Sequence, residues 1–335
     1  MPVDDKRRAR RHHILPQSYL DRFACRGMVN VVDFELARTY RTNISNAACI
    51  DDFYTVETTE RPEDDCIEQK FLASIEGLPG PIVDAIIEDL SVPRGHDWMV
   101  LANYIALMYV RGPWFRQIVL NAYTHLAKGM AKWLHSDEGV WRNVMSQYET
   151  ETGKKIAMGF DEALMMYRNC EISTRIPRTL WVQQMMLMAS DLVAVFQEMT
   201  PSLLYVPVWR SADFITGDLP VLALPRRPNP SADSKWLRNP EVDVFFPLSS
   251  RRCLVLNYDQ RSRVTPASRR HVAFVNHVMA LNCTRIVISE KPDFLWLRER
   301  GTISQSTDEL VEFVRETPES GAMSGDSWNT LRGEQ

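Results

Sequence analysis

The order of apolar and polar positions divides the chain into three stretches of different period. Near the start, residues 28–34 (MVNVVDF) and 53–57 (FYTVE) are rich in β-branched and aromatic side chains and read as two strands joined by a polar connection. From about 64 to 199 the apolar positions recur at helical spacing. Ile67, Phe71 and Ile75 step by four, and Trp98, Leu101, Ile105 and Met108 form a stripe that stops at Gly112-Pro113. A second long helix is predicted from Pro113 to about His135, with shorter ones over 138–149 and 160–170. Trp181, Met185, Met188, Leu192, Val195 and Met199 make the longest stripe. It reads as a core face filled by adaptable methionines, not as a cofactor groove.

After Pro201 the period shortens. Strands are predicted at 203–208, 213–216, 221–224, 242–246 and 253–257, then a helix over 265–282, a strand at 285–289 and a short helix at 307–315. Residues 225–240 contain four prolines and read as a surface loop. Two early strands are too few to be stable alone. The predicted class is therefore α+β: a mixed or antiparallel sheet formed by the N-terminal hairpin and the C-terminal strands, with a large helical block (about 64–199) packed on it. Residues 12–318 are expected to form one domain with that block inserted. It would lie between a disordered basic arm (1–11) and a disordered tail (319–335). A separate helical domain at 64–199 is the alternative.

Composition sharpens this only in places. The apolar stretches look broken short of the ~20 residues a membrane span needs. The basic start (Lys6, Arg7, Arg8, Arg10, Arg11) runs into His12-His13 with no apolar segment behind it. A cytoplasmic location with no membrane partner is expected. The six cysteines (25, 49, 66, 170, 253 and 283) form no C-x-x-C pair and read as free thiols. Net charge is −4, but residues 207–285 carry twelve Arg and Lys against six acids. An anionic ligand or nucleic acid meeting that region and the N-terminal arm is the partner expectation.

Candidate chemistry falls in four strings. His12-His13-Ile14-Leu15-Pro16 is extended before its proline, and Pro16 opens a short helix carrying Gln17, Tyr19, Leu20 and Phe23. Adjacent histidines on an extended segment face opposite ways, so one of them at most can serve a given pocket as general base or metal ligand. Thr216-Gly217-Asp218-Leu219-Pro220 follows a strand, where a carboxylate caps a turn or does chemistry. Arg111-Gly112-Pro113, with Arg116 beyond, either caps a helix end or holds an anion. Phe246-Pro247-Leu248 and Asn276 look structural. Motifs for nucleotide-binding loops, Rossmann dehydrogenases, zincins and α/β-hydrolases are absent from the sequence.

Together these strings resemble a mostly bacterial family catalogued only as a domain of unknown function, DUF 4238. Its members open with H-H-x-x-P-x-x-Y-L-x-x-F and carry Arg-x-Pro in a mid-chain helix. An I-T-S-D-x-P element, an F-P-L segment and a late Asn follow. The match runs from about 12 to 289 and departs at Gly217, where the family has Ser. The resemblance implies no activity. Two readings follow. In the first, the chain is a hydrolase for a phosphodiester or other anionic substrate. His12, His13 and Asp218 would be catalytic, with a divalent metal on one histidine and Asp218. Arg111, Arg116, Gln17, Tyr19, Thr216 and Asn276 would bind substrate. In the second, it is a non-catalytic binding or regulatory module whose signature residues form a structural polar network.

Overall fold

A computed structural model describes residues 11–55, 77–169, 173–226, 236–298 and 301–316. Its centre is β8 (Val242–Ser249), buried along its whole length. The side chains of this strand alternate between two cores, as the period of two requires. Val242, Val244, Phe246 and Leu248 join the apolar cluster shared with the helical block. Phe245 joins a second cluster on the other face, with Phe274, Val275 and Val278. A strand buried on both faces needs an apolar run, and VDVFFPL supplies one. Its one charge, Asp243, is held by both ends of the Arg226 fork at 2.8 and 2.9 Å.

Around β8 stand β5 (Thr200–Tyr205), β7 (Leu222–Pro225), β9 (Arg252–Asn257) and β10 (Val264–Pro266), in the order β10-β5-β9-β8-β7. All neighbours are antiparallel except β10 and β5. A second sheet has the order β3-β2-β11-β6 and is antiparallel throughout. It joins β2 (Met28–Asp33) and β3 (Arg38–Asn43) to β6 (Thr216–Gly217) and β11 (Ile286–Ser289). The α+β class and the pairing of the N-terminal hairpin with C-terminal strands are as predicted. The strands, however, divide between two principal sheets, and the five-stranded one is covered on both faces.

Two short pairs complete the strands: β1 (Arg11–His13) with β4 (Cys49–Asp51), and β12 (Trp296–Leu297) with β13 (Ile303–Ser304). The helices in chain order are α1 (Gln17–Leu20), α2 (Gly80–Asp89), α3 (Gly95–Val110), α4 (Pro113–Leu134), α5 (Glu138–Thr152), α6 (Phe160–Asn169), α7 (Arg178–Glu198), α8 (Arg269–Asn282) and α9 (Thr307–Glu316). Helix α8 starts on a reciprocal cap. The Ser268 side chain accepts from His271 N–H, and the His271 ring accepts from Ser268 N–H.

Three expectations change. The polar connection after β2 contains the strand Arg38–Asn43, whose side chains are largely exposed. Its pairing with β2 is made by backbone groups, which leave no hydrophobic signature. Residues 53–55 are not a strand; the strand lies at Cys49–Asp51, and Phe53 and Tyr54 are buried as core aromatics. Helix α7 is long and apolar enough to cross a membrane, with a mean hydropathy of 1.3 over 18 residues. Here it runs beside α3, where Trp98 Nε1 donates to the carbonyl of Gln197. Its Met188 sits 41% exposed, off the buried face that the stripe predicted. The expected helix around 67–75, most of the 225–240 loop and nearly all of both termini lie outside the described residues.

Phe246 is fully buried, stacked on Tyr19 at 5.6 Å and tilted against Tyr104 at 6.1 Å. Phe246→Ala should lower unfolding free energy by about 3–5 kcal/mol, read from the urea midpoint at unchanged slope.

Candidate functional site

Pro16 closes the extended segment and its carbonyl accepts from the amides of Tyr19 and Leu20. That turn drives Tyr19 into the core, where its hydroxyl donates to the carbonyl of Pro247 at 2.7 Å. The phenol has one proton, so the 2.8 Å contact with Thr216 Oγ1 must be donated by the threonine. Pro247 stands where β8 shifts register against β9, an irregularity that suits a residue without an N–H.

The two histidines divide as their spacing demands. His12 is fully buried, and its Nδ1 accepts from the Tyr54 amide at 2.8 Å while its ring stacks on the Tyr54 ring. In the neutral ring the proton therefore sits on Nε2. His13 is half-buried, with Nε2 3.2 Å from the Ser45 carbonyl and 3.3 Å from the Gln17 amide nitrogen.

Arg111 ends α3 deep in the molecule. Its guanidinium donates to the carbonyl of His13 at 2.9 Å, and its own carbonyl accepts from the Tyr54 hydroxyl at 2.7 Å. The next residue, Gly112, lies against the Asp218 turn: a Cβ there would stand 2.6 Å from the Asp218 carbonyl oxygen. Arg116 lies one turn further on, its guanidinium over Phe53 and Trp181.

Asp218 is almost wholly buried. One carboxylate oxygen accepts from the amide of Thr284 at 2.7 Å, and the other from Arg285 at 2.7 Å and Ile286 at 3.1 Å. Burial pushes its pKa up to about 6, and the three amides oppose the rise. Asn276, also buried, accepts from the Ile215 amide and donates to the carbonyls of Asp213 and Leu295. A Cβ on Gly217 would stand 3.0 Å from the Ile286 carbonyl, so a serine there would crowd β11.

Tyr19, Thr216, Asp218 and Asn276 are thus engaged in hydrogen bonds to neighbouring backbone and side chains, and His12 and Arg111 in others around Tyr54, whereas Arg116 lies apart over Phe53 and Trp181. These contacts do not bring a histidine onto Asp218, as the expected metal pairing required: its two oxygens accept from three backbone amides, and His12 Nδ1 accepts from the Tyr54 amide. Among the described residues, no group of three or more His, Cys, Asp or Glu is placed to hold a metal ion. Tyr54 and Trp181 were missed as partners. Trp181 reads as part of a core stripe and Tyr54 as part of a strand, and nothing local shows what they face.

A family model described as a protein of unknown function, DUF4238, matches residues 11–293. The chain belongs to the DUF4238 family. Searches of curated proteins and of solved structures return no match. In this DUF4238 chain the family match begins with β1 and ends beyond β11, so it contains the polar assembly just described except for the Leu295 carbonyl.

Two outcomes test this geometry. Gly112→Ala must displace the Asp218 turn and should cost about 1–3 kcal/mol, read by chemical denaturation. The second concerns pH. Unfolded aspartate ionises near ~3.9, whereas folded Asp218 keeps its proton to about 6. Between those values the unfolded chain binds fewer protons, so this group's contribution falls as pH rises through the window and stays low above it. The stability difference between wild type and Asp218→Asn should therefore decline by up to about 3 kcal/mol from pH ~4 to ~6.

Proposed function

We propose that the chain is a non-catalytic binding module whose family signature residues hold the fold together. The observation that carries this reading is the buried Asp218 carboxylate, both of whose oxygens already accept from backbone amides, three in all. A general base needs a lone pair within reach of substrate, and a metal ligand needs one facing the ion. The elevated pKa of Asp218 is what an acid catalyst would also have, but here burial accounts for it and the oxygens are already engaged. Asn276 supports the same reading, with both of its N–H groups donated to backbone carbonyls. Arg111 supports it too, since its guanidinium ties β1 to the end of α3. Such a network is strong when complete and costly when broken.

The hydrolase reading and this one separate in a single experiment. Asp218→Asn, Asn276→Ala and Tyr19→Phe should each lose about 1–3 kcal/mol of stability. Purified wild type should not turn over RNA, DNA or nucleotides, with or without added Mg²⁺ or Mn²⁺. Turnover by wild type that vanishes in a stably folded Asp218→Asn variant would sink the proposal.

A further inference from the structure

Arg116 and Arg178 lie outside the polar network. Helix α4 begins at Pro113 and helix α7 at Arg178. Neither start has a capping side-chain hydrogen bond or an acid in its first turn. Helix starts carry about +0.5 of charge and normally recruit Ser, Thr, Asp or Glu. These two have arginines instead, Arg178 at the first position of α7 and Arg116 in the first turn of α4. The two starts converge, because the Arg116 guanidinium stands 5.6 Å over the Phe53 ring and 6.0 Å over that of Trp181. Trp181 lies one helical turn after Arg178, on the same face of α7. Among the described residues, no carboxylate lies within ion-pair distance of either guanidinium. Among the described residues the buried indole N–H of Trp181 has no hydrogen-bond partner.

We propose that Arg116 and Arg178 form a binding site for a phosphate group at the converging starts of α4 and α7. Two guanidiniums and two helix starts sum to about +3, which suits a phosphate dianion better than a singly charged carboxylate. The guanidinium fork matches phosphate oxygens, and the aromatic floor of Phe53 and Trp181 keeps Arg116 extended for that contact. Burial and the neighbouring charge of Arg178 both press the Arg116 pKa below the usual arginine range, a cost that a bound anion removes. The site is separate from the Asp218 network and would stand in a binding module or an enzyme alike.

The test is titration calorimetry on the full chain at constant ionic strength, with inorganic phosphate, adenosine monophosphate and acetate as ligands. Phosphate and the nucleotide should bind and acetate should not. Tighter binding of the nucleotide would identify a phosphate ester as the natural form, and equal binding would identify the phosphate group alone; either upholds the site. Arg178→Gln alters an exposed residue and should weaken binding at least tenfold. Arg116→Lys keeps the charge but loses the fork and should also weaken it. The proposal falls if wild type binds acetate as well as phosphate, or binds neither. It falls equally if Arg178→Gln and Arg116→Lys both retain wild-type affinity. Asp218→Asn, if folded, should bind phosphate normally, so failure here is distinct from failure of the network reading.

Discussion

One carboxylate organises the polar interior. Asp218 gathers the amides of Thr284, Arg285 and Ile286 and thereby fixes where β11 begins. β11 lies between β2 and β6, so its register sets theirs. The carbonyl of the same aspartate is the surface on which Gly112 rests, which seats the end of α3 and the start of α4 against the sheet. Asn276 repeats the device one layer away, bridging residues 213–215 to Leu295. An ionisable group is an expensive choice for such a place. It is tolerable because each oxygen meets backbone donors, three amides in all.

Much of the fold was legible because burial writes itself as period. The helices from Pro113 and over 138–152, 178–198 and 269–282 followed apolar repeats. The β8 run VDVFFPL announced a strand. What escaped was held by backbone pairing or by distant partners. Arg38–Asn43 is a strand because β2 needs a neighbour, and its own side chains say nothing of it. The two-sided burial of the five-stranded sheet depends on where α8 packs, which no local window contains.

The candidate site was legible as a set and illegible as chemistry. His12, Tyr19, Arg111, Thr216, Asp218 and Asn276 do meet, as shared membership of one motif series suggested. Their roles were hidden because the partners lie far off in sequence. Asp218 after a strand reads as the cap of its own turn, yet the amides it binds are 66 to 68 residues downstream. Arg116 was noticed as a neighbour of Arg111, and its actual companions, Phe53 and Trp181, belong to other segments.

The pairing of β2 with β11 has a consequence for synthesis. Asp33 and Ile286 are register partners, so on the ribosome the first strand of that sheet is made long before its neighbour exists. At ~5–20 residues per second, the wait is on the order of ten seconds to a minute. Throughout it the β2 edge that will receive β11 stands unpaired, an invitation to wrong partners. β3 presents mostly polar and charged side chains on the opposite edge, so only that edge of the nascent hairpin is guarded by its own composition.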